Sequence, residues 1–477
     1  MERILSVEQI RSADKYTIET LGISQKVLVE RAGSAVVDEI KNRFYGGRVL
    51  VCIGKGNNGA DGKVIADKLS KIHGFSVTTF SVSSGLFKVF DKKYDIIVDC
   101  IFGTGLNRVV DGRFKTAIEK INNSNSYVIS CDIPSGLNGD NGAVMGIAVK
   151  ANLTVAIQEY KLGHFLGPGP DYTGYIVCKD IGISIWGDDF VRKANDQIIR
   201  QYFKPRLRNV HKGCFGKSCI IGGSVNYTGS VILSSNALSA LKMGVGYSHL
   251  AVPESLFSSY VGKVPECTLS YFTDFNSSAF DYKLIDKLLS YDSIAIGMGM
   301  GISRGVYDII SYLLNNYTGN LLIDADGLNS ISEYGVEILK YKKCKLILTP
   351  HIGEFSRLTK INKEEILSDI IAISKRFAKE YDVVLMVKNS VSVITDGNDV
   401  FLNTTGCSGM AKAGSGDVLS GFAAGLIARS DDLIESIVCA CYLFGLCGEH
   451  AESMQNCYTI TASDIIKALP EVINALV

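Results

Sequence analysis

Short apolar runs that end in glycine, asparagine or aspartate alternate along the chain with longer stretches in which apolar residues recur every three or four positions. The short runs read as buried strands and the longer stretches as amphipathic helices. In the first half the pattern predicts strands over Val49–Ile53, Ile96–Asp99, Tyr127–Asp132 and Leu153–Ile157. In the second it predicts Ser218–Ile221, Ser293–Ile296, Leu321–Asp324, Lys345–Leu348 and Val383–Val387. Such alternation specifies parallel sheets with helices on both faces, an α/β fold of three layers. The rhythm breaks between Gly187 and Arg208, where Asp188, Asp189, Arg192, Lys193 and the step Lys204-Pro205-Arg206 leave no strong strand pattern. A chain of 477 residues also exceeds what one core organises. We therefore expect two domains, over residues 1–200 and 205–477, with a boundary near residue 200.

Composition narrows the possible partners. Lys+Arg and Asp+Glu balance at 49 each, so the basic footprint of a nucleic-acid binder is missing. The 48 glycines against 8 prolines suit many tight strand-to-helix turns. The 13 cysteines are scattered without a Cys-x-x-Cys pair, and Cys52, Cys131 and Cys219 sit in strand-like runs, which predicts reduced, buried thiols. The six histidines form no ligand pair at helical spacing, which argues against a catalytic zinc. The opening residues mix Glu2, Arg3 and Glu8 with apolar ones, so we expect no leader and a cytoplasmic protein. The apolar stretch Ile437–Gly448 is shorter than the roughly 20 residues of a bilayer span, and reads as a buried helix rather than a membrane segment.

Candidate chemistry gathers at strand ends. After Val49–Ile53 comes Gly54-Lys55-Gly56-Asn57-Asn58-Gly59-Ala60-Asp61-Gly62, then a helix with Ile65, Leu69 and Ile72 on one face. A glycine loop opening a helix offers backbone N–H groups and a favourable dipole to an anion. The next strands run into Asp99-Cys100-Ile101-Phe102-Gly103-Thr104-Gly105-Leu106 and Asp132-Ile133-Pro134-Ser135-Gly136-Leu137. An acid at a strand end is often only a helix cap. Three such loops nevertheless converge on one crevice in a parallel sheet.

With Ser6-Val7-Glu8-Gln9 and Leu28-Val29-Glu30-Arg31-Ala32-Gly33, these loops resemble the NAD(P)H-hydrate epimerases, which interconvert the R and S forms of hydrated NADH and NADPH. The resemblance spans residues 1 to 200 and implies a Rossmann-like domain. It implies that Asn57, Asn58, Gly59, Ala60 and Asp61, with Gly103, Thr104, Gly105, Leu106, Asn107, Arg108 and Val109, bind the hydrate. By the same likeness Asn58, Asp99 and Ser135 would hold potassium, and Asp132 would contact substrate as the acid/base residue. Lys55, Ala60 and Lys63 depart from the family pattern without removing a proposed ligand.

The second half carries Gly409-Met410-Ala411-Lys412-Ala413-Gly414-Ser415-Gly416-Asp417, followed by an apolar helix through Val418, Leu419, Phe422, Ala423 and Leu426. Amides of Gly414, Ser415 and Gly416 at a helix start suit the charge on a transferring phosphoryl group, with Asp417 beside the attacking hydroxyl. This string resembles the ribokinase-like superfamily, in which the aspartate is the catalytic base. Together with His211–Ser224, Ala295–Gly301, Ile323–Asn329, Leu348–Leu358 and Val387–Ser390, it resembles the ADP- or ATP-dependent NAD(P)H-hydrate dehydratases. The likeness implies that Gly301, His351, Ile352, Gly353, Glu354, Phe355, Ser356 and Arg357 line the hydrate site with Asp417. Lys388, Asn389, Ser390, Val391 and Ser392, with Cys407, Ser408, Gly409, Met410, Ala411, Lys412, Ala413, Gly414, Ser415 and Gly416, would bind the nucleotide. Met298, Met300, Ile352, Asn389 and Cys407 are departures from that pattern.

The resemblances imply repair of NADHX and NADPHX with ADP preferred over ATP as phosphoryl donor, magnesium accompanying the nucleotide, and a homo-oligomer. Two rival readings remain open at this stage. A small-molecule kinase shares the Asp417 loop, and a binding module of the kind found in RNA-decapping scaffolds shares the N-terminal fold.

Overall fold

The computed structural model describes residues 1–239, 242–275 and 282–477, with side chains placed outside 236–239. The chain forms two compact units, Arg3–Phe190 and Val191–Val477, the latter joined by Met1–Glu2. Its strands are β1 (Glu2–Leu5), β2 (Gly47–Ile53), β3 (Phe75–Ser81), β4 (Ile96–Cys100), β5 (Tyr127–Cys131), β6 (Leu153–Ile157), β7 (Tyr160–Lys161), β8 (Tyr175–Lys179), β9 (Val191–Lys193), β10 (Lys217–Ile221), β11 (Tyr247–Pro253), β12 (Thr268–Phe272), β13 (Ser293–Ile296), β14 (Asn320–Ile323), β15 (Lys345–Leu348), β16 (Val384–Val387), β17 (Ser392–Thr395) and β18 (Val400–Asn403).

In the N-terminal unit the sheet runs β3-β2-β4-β5-β6-β8, parallel throughout. Alternate residues of β2 point to opposite faces. Val49, Val51 and Ile53 pack with Val36 and Ile40 of the helix Gln25–Arg43 and with Ile65 and Leu69 of the helix Asn57–Ser70. Leu50 and Cys52 pack on the other side with Ile118 and Ile121 of the helix Gly112–Asn122. Two apolar faces covered by helices give the expected three layers. Strand β1 pairs in parallel with β7, which brings Leu5 opposite Lys161.

In the C-terminal unit β12-β11-β10-β13-β14-β15-β16 are parallel neighbours. The strands β16, β17 and β18 then pair antiparallel, and β9 runs parallel to β18. The helices Ser415–Ile427 and Leu433–Met454 supply most of one core face, through Val418, Phe422, Leu426, Ile437, Leu443 and Cys447. The apolar stretch read from Ile437 thus belongs to a helix of 22 residues. By length and composition that helix passes as a membrane span, yet two thirds (67%) of its most apolar window is buried inside the unit.

The passage from Gly187 to Arg208 differs from expectation. It contains β9 and the helix Gln197–Tyr202, and Ala194, Ile198 and Ile199 enter the C-terminal core, so the division falls at Phe190/Val191 rather than near residue 200. A strand of three residues bearing Arg192 and Lys193 presents too little apolar surface for its period to stand out. Among the described residues no disulfide forms, and Cys52, Cys131 and Cys219 are buried.

Candidate active sites at two sheet edges

In each unit most of the candidate side chains stand just past the C-terminal ends of parallel strands, where a ligand crevice forms. The N-terminal unit holds a cavity of about 490 Å³ there. Asn57, Asn58 and Asp61 follow β2, and Gly103, Thr104, Gly105, Leu106, Asn107 and Arg108 follow β4. Asp132 follows β5 and Lys161 lies on β7. Gly59 and Ala60 turn to the other side of the loop, onto an open groove with Lys55 and Lys63. Val109 lies outside the cavity and is mostly exposed.

Asp132 adopts φ 71°, a left-handed conformation that costs a non-glycine residue about 1–2 kcal/mol and recurs at functional turns. Its Oδ1 is ion-paired with the fully buried ammonium of Lys161, which also donates to the Ile157 carbonyl at 2.6 Å. Its Oδ2 has no hydrogen-bond partner among the described residues. His164, also buried, accepts at Nδ1 from the Lys161 amide (3.2 Å), which leaves Nε2–H to donate to the Asp132 carbonyl at 2.9 Å. Burial, then the Lys161 charge, lowers the imidazole to about 4, so it stays neutral and acts as a brace. Gly103 lies against both residues: a Cβ there would stand at contact distance, 3.4 Å from Asn58 Nδ2 and 3.7 Å from Asp132 Oδ2.

Behind the cavity lies a set of oxygen donors. Asn58 Nδ2 donates to the carbonyls of Phe102 and Cys131, each at 2.9 Å, whereas its Oδ1 is buried without a partner. Asp99 is wholly buried and accepts from Ser130 Oγ (2.9 Å), Ser135 N (2.8 Å) and Ser135 Oγ (2.6 Å). Burial raises its carboxyl above the ordinary value, against the lowering effect of those bonds.

In the C-terminal unit Asp324 follows β14 at the N-cap position of the helix Ala325–Tyr334, without a side-chain capping bond. His351 and Glu354 follow β15, and Lys388 follows β16. Lys388 Nζ lies 2.7 Å from Asp324 Oδ1, and Ser420 donates to Asp324 Oδ2 at 2.5 Å. Burial alone would lower Lys388, but the Asp324 and Glu354 charges outweigh it and hold the ammonium above its ordinary value. Asp417 stands in the first turn of Ser415–Ile427, which opens on Gly414 at φ 91°, a left-handed turn suited to glycine. Burial first, then the Asp324 charge, lifts Asp417 to about 6 and Glu354 to about 7.

The remaining positions sort by what they touch. His351 caps its helix, taking N–H bonds at Nδ1, and its own N–H donates to Glu354 Oε2 at 2.8 Å. Gly301 donates to Asp326 Oδ2 at 2.8 Å, and Arg357 to Asn329 Oδ1 at 3.0 Å. Phe355 is core, edge-on to Phe377 at 5.5 Å, and Ser356 Oγ donates to the Ile361 carbonyl. Val391 and Ser392 are buried at the start of β17, while Asn389 and Ser390 are exposed. Lys412 pins its loop by donating to the carbonyls of Tyr458 and Ile460.

Sequence reasoning assigned no role to Asp324, Ser420 or Lys161. The rule that singled out Asp99 and Asp132, an acid just past a strand, applies equally to Asp324. Lys161 gave no signal, because its strand is only two residues long.

Comparison with known proteins matches residues 218–471 to the model described as NAD(P)H-hydrate dehydratase. It matches residues 25–88 and 81–163 to that described as YjeF-related protein N-terminus. The chain is 31% identical to the bifunctional NAD(P)H-hydrate repair enzyme Nnr of Thermofilum pendens, over 99% of this chain and 97% of that one. It is 32% identical to the same-named protein of Pyrobaculum aerophilum, over 99% and 98%. A Bacillus subtilis ADP/ATP-dependent NAD(P)H-hydrate dehydratase structure, co-crystallised with ATP/Mg2+, superposes with a TM-score of 0.52 at 24% identity. It covers 60% of this chain and 99% of that one, a likeness of fold.

Proposed function

The chain belongs to the family of bifunctional NAD(P)H-hydrate repair enzymes, and from that membership we propose how its two units divide the work. The N-terminal unit epimerises the R and S hydrates of NADH and NADPH. The C-terminal unit dehydrates the S form at the expense of ADP or ATP, with ADP the preferred donor. The observation that carries this reading is Asp417 in the first turn of a glycine-opened helix, within the field of the Asp324–Lys388 pair.

Hydroxide leaves a ring carbon poorly, whereas phosphate leaves readily. Asp417 takes the proton of the ring hydroxyl, and the oxygen so exposed attacks the terminal phosphoryl group. Phosphate then leaves with the carbon–oxygen electron pair, the adjacent ring carbon gives up a proton to the departing phosphate or to water, and the ring double bond returns. The amides of Gly416 and Asp417 lie in the first helical turn, where N–H groups lack intrahelical partners and can meet the phosphoryl oxygens. Lys388 supplies a fixed positive charge. Among the described residues no three His, Cys, Asp or Glu side chains gather around an ion site, so magnesium would enter on the nucleotide's phosphates. Purified protein given mixed NADH hydrates and ADP should regain the near-ultraviolet absorbance of NADH. A phosphorylated product without that gain would place the chain among small-molecule kinases instead.

Potassium fits the N-terminal unit because the orphaned Asn58 Oδ1 is a buried acceptor, a state that costs about 1–3 kcal/mol unless something fills it. Asn58 Nδ2 and Ser135 Oγ share the Phe102 carbonyl, so with Asp99 and Ser135 the Asn58 oxygen would give a hard, all-oxygen donor set carrying one carboxylate, suited to a monovalent cation. The bound ion would supply fixed positive charge beneath the substrate cavity. Asn58→Ala should raise the potassium needed for half-maximal epimerisation at least about tenfold. Potassium-dependent thermal stabilisation of the N-terminal unit should disappear in the same variant; a potassium-independent wild type would contradict the assignment.

A further inference from the structure

Asp61, like Asp14 an acid of the N-terminal cavity, is used by no step above. It follows the glycine loop on the helix Asn57–Ser70, is 9% exposed, and lines the cavity with Asp132. Among the described residues its carboxyl has neither a hydrogen-bond nor an ion-pair partner. A buried, unpartnered carboxylate is costly, and the group relieves that cost by keeping its proton.

The surroundings reinforce this state. Asp132 and Asp14 are the carboxylates whose fields reach Asp61, and the buried thiols of Cys100 and Cys131 lie behind it. The cations on the cavity wall do not offset this: Lys161 is paired to Asp132, while Lys55, Arg11 and Arg108 are not among the causes of the Asp61 shift. Burial first, then the two carboxylates, lifts Asp61 to about 8. Asp132, by contrast, faces an ammonium. Asp61, kept protonated, and Asp132, paired with a cation, form an acid and base couple within one cavity.

On the epimerase reading of this cavity, we propose that Asp61 is the proton donor of epimerisation and Asp132 the acceptor. The R and S hydrates differ at the carbon that bears the hydroxyl and is bonded to the ring nitrogen. Asp132 takes the hydroxyl proton, the carbon–oxygen double bond forms, and the carbon–nitrogen bond breaks with its electron pair moving to nitrogen. Asp61 gives its proton to that nitrogen. The aldehyde rotates, and closure on its other face returns one proton to Asp61 and the other to the substrate oxygen. Nothing is consumed. The alternative, expulsion of hydroxide, passes through a cation one proton away from NAD(P)H, which would make dehydration independent of any phosphoryl donor.

The experiment follows R-hydrate consumption by the full chain with the C-terminal reaction in excess ADP, where dehydration of the S hydrate normalises each preparation. Asp61→Asn, which keeps shape but carries no transferable proton, should lower kcat for epimerisation about 10²–10⁴-fold with KM nearly unchanged. Wild-type kcat should fall as pH rises through about 8, and the variant's residual rate should lose that limb. Carbon-13 labelling of aspartate, with Asp61 assigned by difference against the variant, reads its protonation without turnover. An unchanged kcat in Asp61→Asn, or a carboxyl already ionised at pH 6, overturns the proposal. Failure of the wild type to consume the R hydrate at all would instead overturn the epimerase reading beneath it.

Discussion

Replacing Asp417 by alanine is expected to lower ADP-dependent recovery of NADH from the S hydrate by about 10²–10⁴-fold, the range a positioned base supplies. The side chain has no other task of comparable weight. It is half-buried at a helix start, and the core beneath it is made by Val418 and Phe422 rather than by the carboxyl. Nucleotide affinity should change little, because the loop amides remain. The pH dependence has a definite sign. Burial and the Asp324 charge raise Asp417 to about 6, and a base works only when deprotonated. Wild-type kcat/KM therefore should be flat above about pH 7 and fall as pH drops through 6. Asp417→Asn should remove that limb along with the activity; turnover that survives either substitution removes the residue from the mechanism.

Lys388→Met is expected to damage stability as well as catalysis. Asp324 is 2% exposed, and its charge is met by Lys388 at 2.7 Å and by the Ser420 hydroxyl. Removing one partner of such a pair strands the other charge, at a cost of about 3–5 kcal/mol. By calorimetry at pH 8 the variant should therefore melt well below the wild type. The double variant Lys388→Met, Asp324→Asn should recover much of the stability but not the affinity for nucleotide. If the single variant melts like the wild type at pH 8, the pair is not the electrostatic centre described here.

How far the sequence carried depended on periodicity. The strands β6, β13 and β15 match the expected spans residue for residue, and β2, β4, β5, β10, β14 and β16 differ by one or two residues at one or both ends, because each is a compact apolar run stopped by a loop. Strands β7 and β9, of two and three residues, are too short to show a period, β1 opens on the charged Glu2 and Arg3, and β17 and β18 form an antiparallel pair whose polar ends Ser392, Thr395 and Asn403 blur the apolar run. The loops bearing Asn58, Asp99, Asp132 and Asp417 were legible because glycine marks them. Lys161 and Asp324 were not, since their importance comes from partners far along the chain, Asp132 and Lys388, that only the fold brings near. The state of Asp61 was hidden for the same reason: composition gives its charge, while burial decides its proton.

In dehydration the phosphoryl group of the nucleotide moves onto the ring hydroxyl before that oxygen leaves. Substrate hydrate carrying oxygen-18 in that hydroxyl follows the oxygen, with the inorganic phosphate analysed by phosphorus NMR or mass spectrometry. One labelled phosphate and one AMP are expected for each NADH restored from ADP. Label recovered in water, with the phosphate unlabelled, would rule out phosphoryl transfer to that oxygen.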